Sequence, residues 1–194
     1  WYQRRVRGMT IKIVFLGDMA VGKTSIINRC IRNNFNELHT PTVGVGYEQM
    51  YVKVNEKTVR TEIWDTAGQE KYLSLAPMYY KNAHGAIIVF DITNYHSFTR
   101  TKMWVKQVSD ENPKCKLLLV GNKLDIEQKR EVTKQLADKL ASEFNTIYIE
   151  VSAKSGEKLE NLIQNFVVRD LSNVTPSKNK LEPASFEGTN KHCC

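Results

Sequence analysis

The chain has 194 residues, of which 41% are hydrophobic and 25% are charged, and this fits one globular domain with tails. No apolar run approaches the roughly 20 residues of a transmembrane helix, and no apolar segment follows the basic start "WYQRRVRG", which argues against a secretory signal. The net charge of +7 falls to +4 without the three arginines of that start, and no basic-aromatic stripe is present, so we do not expect nucleic-acid binding.

Short apolar runs and amphipathic stretches alternate from residue 11 onwards. The first run, "IKIVFLG" (11–17), predicts a buried strand, and residues 22–33 then predict a helix. Two alternating runs around the polar turn "NEK" predict an antiparallel hairpin within residues 47–65. Two continuous apolar runs predict strands that are covered on both faces, "GAIIVFDIT" (85–93) and "KLLLVGNK" (116–123), and "NTIYIEVSA" (145–153) predicts a sixth strand.

Helical spacing of apolar residues fills the gaps between these strands. It is found between residues 97 and 111, from 136 to 144 and from 159 to 167. Strands that alternate with helices predict a mostly parallel sheet with helices on both faces, and the hairpin adds one antiparallel edge. We therefore expect an α/β fold with a six-stranded sheet.

The composition divides the chain into a domain and two ends. Residues 10–172 carry all the predicted elements. Residues 1–9 are expected to be an N-terminal extension outside the fold, since the chain does not begin with methionine and Met9 is a candidate natural start. Residues 173–194 contain two prolines and many Ser, Asn and Lys residues, so we expect a flexible tail that cannot bury enough apolar surface to fold.

The four cysteines form neither a disulfide framework nor a metal-ligand spacing. Cys30 and Cys115 lie in apolar segments and are expected to be small buried hydrophobic residues. This usage fits a reducing compartment.

The stretch "GDMAVGKT" (17–24) matches the phosphate-loop pattern G-x-x-x-x-G-K-[ST] and lies between a predicted strand and a predicted helix. Its glycines let the backbone turn its N–H groups towards phosphates, and the helix N-terminus adds partial positive charge. Lys23 would supply a full charge to the outer phosphates, and Thr24 a hydroxyl for Mg²⁺. The candidate phosphate-binding residues are Gly17, Asp18, Met19, Ala20, Val21, Gly22, Lys23, Thr24 and Ser25.

A second motif, "DTAGQE" (65–70), follows the third predicted strand. Asp65 is placed to hold a metal ion, usually through water, and Gly68 can present its N–H to a terminal phosphate. Gln69 can orient an attacking water without becoming charged. Taken alone, this motif is equally compatible with an ordinary polar loop.

The segment "PTVG" (41–44) lies between the first helix and the hairpin. Thr42 can close over Mg²⁺ and the terminal phosphate with its hydroxyl and N–H. As an isolated residue it would be read as part of a turn.

Two motifs at the ends of buried strands indicate the base. In "GNKLD" (121–125) an Asp carboxylate, which only accepts hydrogen bonds, would pair with the ring N–H and the amine of guanine, whereas adenine would leave it unpaired. The alternative for this stretch alone is a capping or turn sequence. The aliphatic stem of Lys123 can lie on the base plane, and the N–H of Ala153 can reach the guanine carbonyl. The candidate base-binding residues are Asn122, Lys123, Asp125, Ser152, Ala153 and Lys154.

In this order and spacing, the motifs GDMAVGKT, PTVG, WDTAGQE, GNKLD and SAK resemble those of the Ras-superfamily small GTPases. "VGVGY" (43–47), "YYKNA" (79–83) and "IVFDIT" resemble Rab stretches, and "SLAPMYY" with "WVKQV" is similar to the endosomal Rab branch. The resemblance covers residues 10–172. It implies the small G-protein form of the P-loop NTPase fold, with GTP or GDP as ligand, Mg²⁺ as cofactor, and a GTPase activity that is slow without an activating protein.

The resemblance also assigns roles. It implies that Thr24 and Thr42 coordinate Mg²⁺ directly and Asp65 through water. Phe35 stands where an aromatic edge meets the guanine, although it could simply close the first helix. The implied catalytic residues are Gln69, Gly68 and Lys23, and the implied effector-binding aromatic triad is Tyr47, Trp64 and Tyr79.

Two departures from the family pattern stand out. Rab proteins generally carry Phe where this chain has Tyr47, and an acidic or small residue in place of Gly46, so the effector is not predicted. Most carry a small polar residue where this chain has Met19. We hypothesise that Met19 points towards the terminal phosphate and slows hydrolysis, with an outward or switch-packed side chain as the alternative.

The chain ends in Cys193 and Cys194. Rab proteins resemble it in ending with a cysteine pair that carries two geranylgeranyl groups, and two lipid chains anchor stably where one does not. The alternatives are a metal-binding "HCC" sequence or an accidental end. We expect a location on the cytoplasmic face of endosomal or vesicular membranes, together with a cytosolic pool.

The resemblance implies a monomer that works with an exchange factor, an activating protein, a dissociation inhibitor, an escort protein and effectors. The leading interpretation is a GTP-dependent switch in vesicle traffic. One alternative is a GTP-binding protein with impaired hydrolysis that recruits constitutively, and the presence of Gln69 argues against it. Another is a P-loop kinase or ATPase, which the guanine-reading motifs argue against.

Overall fold

The structure is a computed structural model that describes residues 10–37, 42, 44–68 and 76–172. Within these ranges one sheet is formed by β1 (Thr10–Leu16), β2 (Val45–Val54), β3 (Lys57–Thr66), β4 (Gly85–Asp91), β5 (Lys116–Asn122) and β6 (Ile147–Glu150). The α-helices there are α1 (Lys23–Arg32), α2 (Ala76–Tyr80), α3 (Tyr95–Thr99), α4 (Thr101–Glu111), α5 (Lys134–Glu143) and α6 (Leu162–Phe166). A 3₁₀ turn follows β5 at Leu124–Lys129, and a π-helical turn follows α6 at Val167–Leu171.

The strand order across the sheet is β2-β3-β1-β4-β5-β6. Only β2 runs antiparallel to its neighbour, β3, while the other neighbouring pairs are parallel. The predicted α/β fold, with a mostly parallel sheet and one antiparallel edge, is therefore confirmed. Because the parallel strands share a direction, the loops that follow β1, β3, β5 and β6 emerge at the same edge of the sheet, where ligands bind in such folds.

Alternate residues of β1 enter two hydrophobic clusters, one on each face of the sheet. Ile13 and Phe15 pack in the cluster that α1 and α6 cover, and Val14 and Leu16 pack in the cluster that α4 and α5 cover. All four side chains are fully buried. Each contributes about 1.5–3 kcal/mol by leaving water, and together they hold rigid the strand that leads into the phosphate loop.

The helix predicted over residues 97–111 is wrong in its bounds, because the structure has two helices there. The Asn94 side chain accepts a hydrogen bond from the Ser97 N–H at 3.0 Å, which caps α3 and starts it at Tyr95. The Thr101 hydroxyl donates to the Phe98 carbonyl at 2.6 Å where α3 gives way to α4. A side chain that competes for a backbone carbonyl in this way weakens helix continuity.

The last helix also begins later than predicted. The periodicity indicates a start near Leu159, but Asn161 adopts a left-handed conformation with φ of 61°, so α6 starts at Leu162. The apolar residues at 159, 162, 163, 166 and 167 are nevertheless all buried in one cluster. The amphipathic pattern therefore identified the buried face correctly and misplaced only the boundary.

The predicted extension (residues 1–9) and tail (173–194) lie outside the described residues. Cys30 and Cys115 are free and partly buried. Burial raises the pKa of each thiol to about 12, so neither is a reactive thiolate at neutral pH.

Candidate functional site

A cavity of about 490 Å³ lies at the edge of the sheet where the parallel strands end. This volume is in the range of roughly 300–1,000 Å³ that is typical of small-molecule sites. The predicted site residues that line it are Met19, Ala20, Gly22, Lys23, Thr24, Ser25, Phe35, Thr42, Gly68, Asn122, Lys123, Asp125, Ala153 and Lys154.

The remaining predicted nucleotide- and metal-binding residues that the structure describes do not line the cavity, but each forms a hydrogen bond with a residue that does. The carbonyls of Gly17 and Asp18 bind Lys23, the carbonyl of Val21 binds Asn122, Asp65 binds Thr24, and Ser152 binds Asp125. The predicted residues Gln69, Cys193 and Cys194 lie outside the described residues. Four further lining residues were not predicted: Asn36, Glu37, Thr66 and Ile126. Each lies within two residues of a predicted motif residue, which is the only sequence signal that could have indicated it.

Lys23 forms the cationic end of the cavity. Its Nζ donates to the carbonyl of Gly17 at 2.8 Å and to that of Asp18 at 2.7 Å, and the residue is only 5% exposed. Burial lowers the pKa of this ammonium to about 8, against the opposing effect of Asp65 and Asp18. A cation that burial disfavours in this way gains stability when an anion binds beside it.

Three oxygen-bearing side chains converge next to Lys23. The Thr24 hydroxyl donates to Asp65 Oδ2 at 2.5 Å and accepts a hydrogen bond from the Thr42 hydroxyl at 2.8 Å. The described residues contain no cluster of three or more His, Cys, Asp or Glu side chains that would form a self-sufficient metal site. Hydroxyl and carboxylate oxygens are nonetheless suited to Mg²⁺, which takes few protein ligands and completes its shell with water and phosphate. The residues present fit that ion.

The backbone of the phosphate loop is held in a conformation that needs glycine. Gly22 has φ of 96°, and a Cβ there would lie 2.2 Å from Asn122 Nδ2. Asn122 Nδ2 itself donates to the carbonyl of Val21 at 2.9 Å, so a base-end residue also fixes the phosphate loop. Gly68 approaches the same loop so closely that a Cβ would lie 2.4 Å from the nitrogen of Met19. The Met19 side chain lines the cavity and is 54% exposed.

The opposite end of the cavity carries groups that can read a base. Asp125 Oδ1 accepts a hydrogen bond from the Ser152 hydroxyl at 2.6 Å, which orients the carboxylate. Asn122 Oδ1 accepts from the Ala153 N–H at 3.0 Å and joins the two motif loops. Lys123 Nζ pairs with Asp91 Oδ2 at 2.7 Å, and this contact holds the lysine stem along the wall. Phe35 both lines the cavity and packs against the core, a position compatible with each of the two roles considered for it.

The three predicted aromatic residues form a cluster away from the cavity. The ring of Trp64 lies 5.6 Å from that of Tyr47 and 6.2 Å from that of Tyr79, measured between centroids. Lys12 Nζ lies 4.4 Å from the centre of the Trp64 ring, at cation–π distance. Arg60 Nη2 donates to the Tyr47 hydroxyl at 2.8 Å, a contact that phenylalanine at this position could not make.

The comparisons with known proteins agree with this geometry. A protein-family model described as "Ras family" matches residues 12–172, a span that contains every residue lining the cavity. The chain is 40% identical to the Ras-related protein Rab5 of Nicotiana tabacum, over 98% of each chain. It is 41% identical to the Ras-related protein RABF2b of Arabidopsis thaliana, over 89% of this chain and 86% of that one. It is 39% identical to the Ras-related protein Rab5A of Oryza sativa subsp. japonica, over 94% of each.

Among the described residues, no helix combines the length and apolar character needed to cross a bilayer.

Proposed function

The chain belongs to the Ras family of small GTPases, and from this premise we propose that it is a Rab-type, guanine-specific switch of endosomal traffic. Its activity is GTP hydrolysis, and its relatives support a role in vesicle traffic. One observation carries the proposal for the site: a single cavity has a buried ammonium at one end and an oriented carboxylate at the other. A nucleotide with a polyphosphate and a purine that offers two donors matches both ends.

At the phosphate end, Lys23 would donate from its ammonium to the outer phosphates, and the backbone N–H groups of the loop would contact the inner ones. The hydroxyl oxygens of Thr24 and Thr42 would hold Mg²⁺, with Asp65 acting through water, and the bound ion supplies positive charge to the phosphate oxygens. Support comes from the short contacts that already join Thr24 to both partners, at 2.8 Å and 2.5 Å.

At the base end, the Asp125 carboxylate would accept from the ring N–H and the amine of guanine. The hydrogen bond from Ser152 at 2.6 Å supports this role because it holds the carboxylate in one orientation. The Ala153 N–H already donates to Asn122 Oδ1 at 3.0 Å, so its contact with the guanine carbonyl would be a shared, three-centre hydrogen bond. Adenine would leave the carboxylate without donors.

Hydrolysis would depend on residues next to the phosphate end. Gln69 would orient the attacking water, and the Gly68 N–H would contact the terminal phosphate. We expect slow intrinsic turnover, with an activating protein supplying an arginine. Replacing Gln69 with Leu should hold the protein in the GTP form, and wild-type turnover by this variant with activator present would contradict the role given to Gln69.

Outside the cavity, the cluster of Tyr47, Trp64 and Tyr79 would bind effectors in the GTP state. Partial exposure of Tyr47, at 46%, supports this role. We propose that Cys193 and Cys194 carry two lipid groups and hold the protein, as a monomer, on the cytoplasmic face of endosomal or vesicular membranes. Exchange, activating, escort and dissociation-inhibitor proteins would move it between its states.

A nucleotide competition experiment tests the base-reading proposal. Protein loaded with a fluorescent GDP analogue is mixed with excess GTP, GDP, ATP or ADP, and the displacement is followed by fluorescence. Guanine nucleotides should displace the analogue, and adenine nucleotides should fail to do so at concentrations about a thousandfold higher. Displacement by ATP at concentrations similar to those of GTP would refute the proposed specificity.

A further inference from the structure

Arg29, in the last turn of α1, donates hydrogen bonds to backbone carbonyls of residues 152–154, the segment that carries the proposed base-reading residues Ser152 and Ala153 and is here called the base loop. Its Nε donates to the carbonyl of Ala153 at 3.0 Å, and its Nη2 donates to the carbonyl of Lys154 at 2.5 Å. We propose that Arg29 is a positioning residue for guanine recognition, which holds this loop so that its N–H groups face the base. The proposal rests on the proposed function, because it needs a guanine in the cavity.

The Ala153 peptide groups are held from two sides. Asn122 Oδ1 accepts from the Ala153 N–H at 3.0 Å on the cavity side, and Arg29 binds the Ala153 carbonyl at the other end of the same residue. Ala153 is only 3% exposed and lines the cavity. Both backbone groups of the residue are therefore fixed, and the direction of its N–H depends on both contacts. Removing the arginine takes this donor from the Ala153 carbonyl, while the Ala153 N–H keeps its contact with Asn122.

The chemistry of the arginine side chain suits this role. A guanidinium is a planar fork with several N–H donors, so it can bind two consecutive carbonyls at once, and a third nitrogen of Arg29 donates to the Asn33 carbonyl at 3.2 Å. A lysine ammonium is a single flexible point of charge and cannot hold the same pair in a fixed orientation. A cation near the C-terminus of α1 is also favoured by the helix dipole.

The position of Arg29 connects the two ends of the cavity. Helix α1 begins at Lys23, whose ammonium forms the phosphate end, and the same ten-residue helix presents Arg29 to the base loop. Ile26 and Ile27 of the helix are buried in the core, which keeps it rigid. One helix thus sets the distance between the phosphate-binding and base-binding groups.

The test compares nucleotide dissociation from the full chain for the wild type and for Arg29→Ala, Arg29→Lys and Arg32→Ala. Arg32 lies on the same helix but binds Asn28 and Glu48 instead of the base loop, so its replacement is the matched control. Each protein is loaded with GDP or with 6-thioguanosine diphosphate. The thio analogue keeps the ring N–H and amine that Asp125 would read, and replaces the carbonyl oxygen facing the loop with a poorly accepting sulfur.

We expect Arg29→Ala to release GDP about tenfold faster than the wild type, from the loss of two charge-assisted hydrogen bonds that are partly exposed to solvent. The same change should accelerate release of the thio analogue by less than about threefold, because its contact with the loop is already weak. Arg29→Lys should give an intermediate rate for GDP, and Arg32→Ala should stay within about twofold of wild type.

The inference would be overturned if Arg29→Ala released GDP and the thio analogue with equal acceleration over the wild type, or if it released GDP no faster than the wild type. Should Arg29→Ala fail to fold, Arg29→Lys decides by the same comparison of the two nucleotides. The release of GDP and of ADP from the wild-type protein is measured in parallel, to separate this inference from the proposed function. If the wild type releases ADP no faster than GDP, guanine recognition itself is refuted. A wild type that prefers GDP, with an Arg29→Ala variant that behaves like it, refutes only the role of Arg29.

Discussion

Replacing Asp125 with asparagine should change the base that the protein binds from guanine to xanthine. The wild-type carboxylate accepts from the Ser152 hydroxyl at 2.6 Å and would accept two donors from guanine. In the variant the amide oxygen, which has two lone pairs, can still accept from Ser152 and from the ring N–H. The amide nitrogen then faces position 2 of the base. It would meet the amine of guanine donor to donor, whereas it would donate to the carbonyl of xanthine.

The size of the effect follows from the number of contacts. A hydrogen bond to a charged group contributes about 1.5–3 kcal/mol and a neutral one about 0.5–1.5 kcal/mol, so losing the contact with the amine and reducing the contact with the ring N–H to a neutral one costs about 2.5–4.5 kcal/mol. The two donors that then face each other extend this cost to about 3–6 kcal/mol. Since about 1.4 kcal/mol corresponds to a factor of ten, GDP affinity should fall by about 10²- to 10⁴-fold. Xanthosine diphosphate should become the preferred ligand. Ser152 is fully buried and its contact survives the substitution, so the fold should not be affected.

The assay is displacement of a fluorescent nucleotide by unlabelled GDP and by xanthosine diphosphate, at equilibrium and with Mg²⁺ present. The matched control is Asp110→Asn, which makes the same chemical change on an exposed position of α4. It should leave both affinities unchanged. An Asp125→Asn protein that binds GDP within about fivefold of wild type would refute the reasoning, and so would a loss of GDP binding without any gain for xanthosine diphosphate.

Three further predictions concern the phosphate end and the C-terminus. Met19→Ser should accelerate GTP turnover if the methionine crowds the terminal phosphate, and unchanged turnover with and without activator would exclude crowding. The Met19 side chain is 54% exposed, and the two outcomes distinguish crowding from an outward orientation. Because burial lowers the pKa of Lys23 to about 8, the protonated form that phosphates need is lost as pH rises through that value. GDP affinity should therefore fall about tenfold between pH 7 and pH 9. The affinity of the Lys23→Met variant should not show this dependence on pH. Replacing Cys193 and Cys194 with serine should release a tagged protein from membranes to the cytosol, and an unchanged distribution in cell fractions would contradict the lipid anchor.

Much of the site was predictable because its chemistry lies in short, ordered motifs. The lining residues Lys23, Thr24, Asn122 and Asp125 were each identified from local patterns, and the structure brings all four around one cavity. This works because the two motifs that carry these residues come at the ends of β1 and β5, and parallel strands end at a common edge of the sheet. Hydrophobic patterning likewise predicted the six strands, as a continuous apolar run for β4, which is buried throughout, and as alternating runs for the hairpin, in which β2 is buried at only some positions.

The helix boundaries were less predictable, because they depend on single side-chain contacts. A hydrogen bond from Thr101 to the Phe98 carbonyl accompanies the division of α3 from α4, and the left-handed Asn161 delays α6. Apolar spacing cannot detect either feature. Glu37 was missed for a related reason, since it belongs to no motif, and at the cavity wall its carboxylate pairs with Lys154 Nζ at 2.5 Å.

The sequence by itself determined which ligand chemistry to expect: a phosphate loop, a carboxylate suited to guanine and oxygens suited to magnesium, all within stretches of a few residues. Only the tertiary structure decided how these groups are held. Arg29 meets Ala153 across 124 positions of sequence, and Asn122 reaches the phosphate loop across 101. Such contacts arise from the order of the strands and the direction of α1, and nothing in local spacing encodes them. The loop "GDMAVGKT" can be recognised alone, but its partners are set by the fold.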